Sequence, residues 1–262
     1  MPMMTGARTW VELPAPVPLG GGVLSVANVV DVADGDHRLL GVEALTDACS
    51  SAEIWSQWCT IDPAILKVFE DTQEHVVGDP FVLYAGVSCD LQRLDEGARR
   101  ATARLGHGEP RGIDQYVDAF LSDSVDVIDL GGPFPIPQAI GAAEAFAATW
   151  YGGQPTLMIP RLFIQCGCSN GALHANLDGT LSTCAGSKVA PLTTAVPVPV
   201  TITTGTMYVT GSVTLFRGPE KNISVPQQVF DDGTFAPMRA LAERVYVPVF
   251  DCLVAKVEVS CS

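Results

Sequence analysis

The longest helical pattern in the chain is interrupted in its middle, and the interruption limits the architectures open to it. Asp95-Glu-Gly-Ala-Arg-Arg-Ala-Thr-Ala-Arg-Leu105 combines good helix formers with an acidic start. Ile113-Asp-Gln-Tyr-Val-Asp-Ala-Phe-Leu121 resumes with apolar residues spaced three and four apart. Between them lies Gly106-His-Gly-Glu-Pro-Arg-Gly112. An interior proline removes an amide donor and crowds the preceding turn, at a cost of about 3 kcal/mol. The expectation is a kink or break between Leu105 and Ile113. A second helix is expected from Pro137 to Trp150, ended by Gly152-Gly153, and a short one over Pro237-Met-Arg-Ala-Leu-Ala-Glu-Arg244.

Strand patterns account for most of the rest. Gly22 to Val30, Asp79 to Cys89 and Thr156 to Pro160 are β-rich, as are Val196 to Ile202, Met207 to Phe216, Ile223 to Val229 and Tyr246 to Val259, with Gly, Asn and Asp turns between them. Thr46 to Phe69 carries only loop or short-helix signals. No repeat with a period of 20–50 residues is present. Few helices among many strands make the class α+β.

Charge is scarce: 17% of the 262 residues are charged and 47% are apolar, against roughly 25% charged in an average soluble chain. One resolution is that neighbouring subunits cover part of the surface. Before Asp31 the only charged side chains are Arg8 and Glu12, while Trp10, Val11, Leu13, Val17 and Leu19 are apolar. An arm of that composition is expected to lie across a neighbouring subunit or its own domain. The net charge is −14 with only 15 basic residues, so counterion release from nucleic acid has little to work with. DNA could be enclosed but not specifically bound. The N-terminus shows no signal-peptide core, and the apolar tract from Val189 to Phe216 is broken by prolines and Gly205, so no membrane span is expected.

One stretch looks like chemistry. Cys166-Gly-Cys-Ser-Asn-Gly-Ala-Leu-His174, with Cys184 beyond it, supplies three thiols and an imidazole, a ligand set zinc accepts. The pairing is C-x-C, however, where structural sites use C-x₂₋₄-C, and His174 and Cys184 come singly. Gly167-Cys-Ser-Asn-Gly171 fits a hydrolase elbow around Ser169. Against that, the upstream strand ends nine residues too early, and His174 is too close in sequence to swing back as a general base. His37, His75 and His107 all precede Ser169, which would demand another chain order. A disulfide among Cys166, Cys168 and Cys184 is a further reading. With eight cysteines too sparse for a disulfide scaffold, the preferred one is buried or part-buried free thiols acting as small apolar residues in a turn and hairpin. Chelator and reductant should then leave the melting temperature nearly unchanged, and no cofactor is expected. Asp231-Asp-Gly-Thr234 is a turn and not a calcium loop; Asp123, Asp126 and Asp129 suit a solvated face; Asn222-Ile-Ser224 fits a glycosylation acceptor without a secretory route to use it.

The order of elements resembles that of tailed-phage major capsid proteins, whose fold is shared with encapsulin shells. Arg99 to Leu121 resembles the end of that family's spine helix, and Ala139 to Arg161 the helix-then-strand step into its axial domain. Gly179 to Pro191 resembles the loop that follows, and Ala240 to Val259 the returning strands. The resemblance implies a phage capsid-like fold with an N-terminal arm over 1–45, an extended loop and first strands over 46–90, a spine-helix region over 91–135 and an interleaved axial and peripheral domain over 136–262. It implies a non-enzymatic virion protein, made in the host cytoplasm, that self-assembles through hexamers and pentamers into an icosahedral shell, with other virion proteins as further partners. Lys67, Lys188, Lys221 and Lys256 are the amines open to covalent cross-linking. Two rival functions are a neck, tail or decoration protein, and a hydrolase or zinc enzyme using residues 166–184.

Overall fold

The computed structural model describes residues 17–46, 49, 74–89, 94–194, 203–225, 228–229, 235–236 and 238–261. The first sixteen residues of the arm, nearly all of Thr46 to Phe69 with Lys67, the strand expected over Val196 to Ile202 and the turn at Asp231 to Thr234 lie outside the described residues.

In chain order the first elements are β1 (Asn28–Asp31), β2 (Val42–Thr46), β3 (Glu74–Gly78), β4 (Phe81–Cys89), the long helix α1 (Leu94–Asp123), β5 (Ile128–Asp129) and β6 (Phe134–Pro135). Next come α2 (Ile136–Trp150), β7 (Thr156–Pro160), α3 (Arg161–Ser169), β8 (Leu173–Ala175), β9 (Leu181–Thr183), β10 (Lys188–Leu192) and β11 (Thr204–Thr210). The chain continues through β12 (Val213–Arg217), β13 (Lys221–Val225), β14 (Gln228–Val229), β15 (Phe235–Ala236), β16 (Met238–Phe250) and β17 (Val254–Ser260).

Two sheets organise these elements. One runs β1-β12-β16-β13, with β4 also paired to β16; the other runs β5-β17-β11-β7-β10-β9-β8, with β6 also on β17. β2 and β3 form a separate antiparallel ribbon, in which Leu45 pairs with His75 and Glu43 with Val77.

The helix α1 lies between the sheets. Ala101, Leu105, Glu109, Ile113, Val117 and Leu121 fall four apart and are all buried. Its first half packs on β4 and β16 through Val87, Ala240 and Ala242. Its second half meets Met158, Ala190, Leu192 and Tyr208 from one sheet and Leu215, Tyr246 and Phe250 from the other. On the far side of the larger sheet, α2 buries Ile136, Ala139, Ile140, Ala143 and Ala147, a helical stripe three to four residues apart, and α3 adds Phe163. Every residue of β7 is therefore buried: Leu157 and Ile159 face α2 and α3, and Met158 faces α1. Such two-sided burial explains a continuous apolar run where alternation would be expected.

Several expectations need correction. The break between Leu105 and Ile113 is absent, for α1 runs unbroken through Pro110. Glu109 is held there by two arginines: Arg244 Nη1 lies 3.1 Å from its carboxylate and Arg217 Nη1 lies 3.5 Å away. Gly112 allows close approach, since a Cβ there would sit 2.8 Å from Leu83 Cδ2. The burial gained on both sides of Pro110 outweighs its local cost. Likewise Pro237 to Arg244 holds no helix from Met238 onward: those residues open the thirteen-residue strand β16, paired with β4 along one edge and β13 along the other. Ladder pairing on two sides overrides their helix propensity. Gly22 to Val30 is a 3₁₀ turn over Val23–Ser25 followed by β1. Met207 to Phe216 is two strands that belong to different sheets.

One buried carboxylate ties these layers together. Asp114, on α1, accepts hydrogen bonds from the Val23 amide at 2.9 Å and the Thr193 amide at 3.1 Å. Arg161 Nη2 stands 3.8 Å from it. Gly22 has φ +77°, and a Cβ on it would lie 2.4 Å from Asp114 Oδ1, so glycine is required there on both counts. Burial pushes the Asp114 carboxyl above its ordinary range, against the opposing pull of those two amides.

Candidate functional site: the sheet seam, the ribbon and the thiol hairpin

The two sheets exchange chain at two adjacent points. Between β11 and β12 the chain crosses at Gly211-Ser212, and between β16 and β17 it crosses at Asp251 to Leu253. The crossings bond to each other: the Gly211 amide donates to the Leu253 carbonyl at 3.0 Å and the Asp251 amide to the Ser212 carbonyl at 3.0 Å. A Cβ on Gly211 would meet Asp251 Cβ at 2.7 Å, so only glycine lets the strands approach this closely. Tyr151, from the end of α2, closes the seam. Its hydroxyl donates to Asp251 Oδ2 at 3.0 Å and accepts from the Ser212 amide at 2.8 Å. Burial raises the Tyr151 phenol above its ordinary range, which keeps that proton in place.

The ribbon is rooted on this seam. Thr46, at the end of β2, donates its hydroxyl to Asp251 Oδ1, and Cys49 forms a disulfide with Cys252 across 203 residues of sequence. On the other strand, Gly78 lies against Pro248 and Val249 of β16. The ribbon itself presents Leu45 and Val77, 57% and 60% exposed, on one face with Glu43 and His75. His75 Nδ1 lies 3.0 Å from Glu43 Oε1. The five-stranded sheet has a comparable face turned away from α1. There Val82, Tyr84 and Ile223 are exposed, Tyr84 to 71%, beside Leu241 in register.

The residues singled out for chemistry are divided by the fold. Cys166, on α3, forms a disulfide with Cys261 beyond β17. Cys168 and Cys184 are exposed free thiols. His174, on β8, brings Nε2 to 3.0 Å from Cys184 Sγ. The four ligand-type residues therefore do not converge, and among the described residues no group of three or more His, Cys, Asp or Glu could hold a metal. Cys168 and Cys184 are free thiols as expected, but exposed and not buried or part-buried, and Cys166 is no free thiol because Cys261 bonds to it. Pairing among Cys166, Cys168 and Cys184 is likewise replaced by the bond to Cys261. Ser169 closes α3 and donates to the Cys166 carbonyl at 2.9 Å. The strand-to-helix junction is at Pro160-Arg161, so the elbow geometry is missing. Of the turn and hairpin expected here, β8–β9 is the hairpin and the turn is confined to Asn170 and Gly171, the latter at φ +71°, while Cys166 to Ser169 are the end of the helix α3 and not a turn.

Of the lysines, Lys221 pairs with Asp34 at 2.7 Å and Lys256 with Asp129 at 3.7 Å, while Lys188 opens β10. No helix among the described residues is long and apolar enough to cross a membrane. The two disulfides were missed by sequence reasoning. Only the even cysteine count and the cluster Cys252 and Cys261 near the last strand hinted at them.

No protein-family model matches the chain, and no curated protein matches it by sequence. Solved structures do. The capsid of an empty GTA particle superposes with a TM-score of 0.56 at 13% identity, covering 97% of this chain and 95% of that one. The capsid of the native GTA particle gives 0.55 at 10% identity, over 98% and 96% of the two chains. The SrpI encapsulin from Synechococcus elongatus gives 0.55 at 10% identity, over 97% and 94%. The likeness covers nearly the whole of both chains in each case, and the chain has the α+β phage capsid-like fold of capsid and encapsulin shells.

Proposed function

We propose that the protein is a virion structural subunit that assembles with copies of itself into a closed icosahedral shell around a genome. One observation carries the reading: the likeness to capsid and encapsulin shells extends over nearly the full length of both partners in each comparison. Hexamers and pentamers are the building units, and the work is assembly without catalysis. The 1–45 arm, the 46–90 loop, the 91–135 spine region and the 136–262 axial and peripheral part are its divisions. The subunit is made in the host cytoplasm and resides in the virion.

The second copy is the natural occupant of the exposed apolar faces. The ribbon's Leu45 and Val77 lie on strands rooted at the seam, and the sheet's Val82, Tyr84 and Ile223 on strands paired to β16. Stable interfaces bury on the order of 1,600 Å², and a subunit of 17% charged residues has apolar surface to contribute. Its net charge of −14 suits a wall that must not stick to packaged DNA.

The test is Leu45→Asp combined with Val77→Asp. Both side chains are exposed, so circular dichroism and melting of the subunit should match the wild type, while closed particles disappear from electron micrographs. Normal particles from the double variant would remove the ribbon from the assembly contact.

A further inference from the structure

Cys184 follows directly on β9, and His174 lies on β8 of the same hairpin. His174 pairs with Ser182, which makes Cys184 its diagonal neighbour on one face. The contact of 3.0 Å between Nε2 and Sγ follows from that register. The Cys184 thiol donates to the Gly171 carbonyl at 3.3 Å, which fixes Sγ beside the ring, and its proton must leave that carbonyl for His174 Nε2 when the thiol reacts. Both side chains are exposed, and Cys184 is in neither disulfide. A thiolate is the nucleophilic form of cysteine, and an adjacent imidazole that takes the proton is the commonest way to generate it.

We propose that Cys184 is a reactive thiol, activated by His174, that captures low-molecular-weight disulfides as a mixed disulfide. As Sγ attacks one sulfur of the incoming disulfide, its proton passes to His174 Nε2. The Sγ–S bond forms while the S–S bond of the reagent breaks, and the departing thiolate takes the proton back from the imidazolium. The reagent is the oxidant and leaves one equivalent of free thiol, so no other reactant is needed. This chemistry belongs to the single chain and does not depend on assembly.

The same molecule holds a control. Cys168 is also exposed and lies in the last turn of α3. No hydrogen-bonded imidazole serves it among the described residues.

The experiment treats the full-length, non-reduced protein with a chromogenic aryl disulfide at neutral pH and follows each cysteine by peptide mass spectrometry. Cys184 should be modified roughly 10-fold or more faster than Cys168, a floor set below the roughly 10²–10⁴-fold that a positioned general base typically contributes. His174→Gln should bring the Cys184 rate down to that of Cys168 and leave the Cys168 rate unchanged. His174→Gly should regain the fast rate on addition of free imidazole, which a merely structural role for the ring would not allow. Equal rates in the wild type, or a Cys184 rate indifferent to His174→Gln, would overturn the proposal.

Discussion

Glu109 and Asp114 show how single carboxylates hold the layers in register. Glu109 is 8% exposed and faces Arg244 at 3.1 Å and Arg217 at 3.5 Å; Arg217 reaches on to Asp31 at 2.6 Å. Removing Glu109 takes a buried partner from two arginines that are part-exposed and keep Asp31 and Glu220 as further partners, so the cost should be roughly 1–3 kcal/mol, below that of breaking a fully buried pair. Glu109→Ala should therefore lower the urea midpoint, and a loss below 1 kcal/mol would mean that water already screens the cluster. The Asp114 carboxyl makes stability depend on pH. Its folded-state carboxyl sits above the ordinary aspartate range, so the folded chain holds the proton more tightly than the unfolded one. Its contribution is greatest below the ordinary range and is lost as pH rises towards the raised folded value. Asp114→Asn should flatten that part of the stability profile. It should also cost roughly 1–3 kcal/mol, because the Asn side chain leaves one of the two amide donors poorly satisfied. Urea titrations of both proteins across mildly acidic pH measure the two effects together.

At the scale of elements, α1 makes the sharpest case. Gly106 and Gly108 are exposed, and a Cβ at either meets nothing within 4 Å. In a continuous helix Gly106→Ala and Gly108→Ala should each stabilise by about 0.5–1 kcal/mol. Gly112→Val should destabilise by about 1–3 kcal/mol, since it drives side-chain atoms into Leu83. If Gly106→Ala instead destabilised, the helix would need the flexibility that the sequence suggests. Much of this level was readable in advance: α2 and β7 lie where their apolar spacing puts them, and the thiol segment holds the hairpin expected of it. Local rules failed where distant partners decide. The four-residue phase Leu105, Glu109, Ile113 continues through the glycine-proline stretch, but its meaning depends on Arg217 and Arg244 more than a hundred residues away. Met238 to Arg244 has helix-forming residues, yet Ala240 and Ala242 alternate inward against α1, a period visible only once β4 and β13 flank them. Within the thiol segment, the proximity of His174 and Cys184 follows from hairpin register. The partners of Cys166 and Cys49 lie 95 and 203 residues away, beyond any spacing rule.

For the whole molecule, those disulfides reverse the expectation that reductant has no effect. In the chain-entropy account, closing a loop of about 100 residues stabilises by roughly 4.7 kcal/mol, and about 1 kcal/mol moves the melting point of a chain near this size by 2–4 °C. Reduction of Cys166–Cys261 alone should therefore lower melting by roughly 10 °C, as should Cys261→Ser under oxidising conditions. Calorimetry with and without reductant checks this, and a shift under 2 °C would show that the bond adds little. Reduction of Cys49–Cys252 has a second consequence, because that bond roots the ribbon on the seam where both sheets exchange chain. Loosened there, the ribbon should keep its strands and lose its fixed direction, so assembly should suffer in addition to the loss of melting temperature that opening this still longer loop brings. The central claim, that this fold works as a shell subunit, is tested most directly by the mass of the native assembly in solution. Sedimentation of the purified chain at neutral pH should give a homogeneous species in the megadalton range, seen as closed particles in the electron microscope. A monomer, or a ring of a few subunits that persists at high concentration, would contradict it.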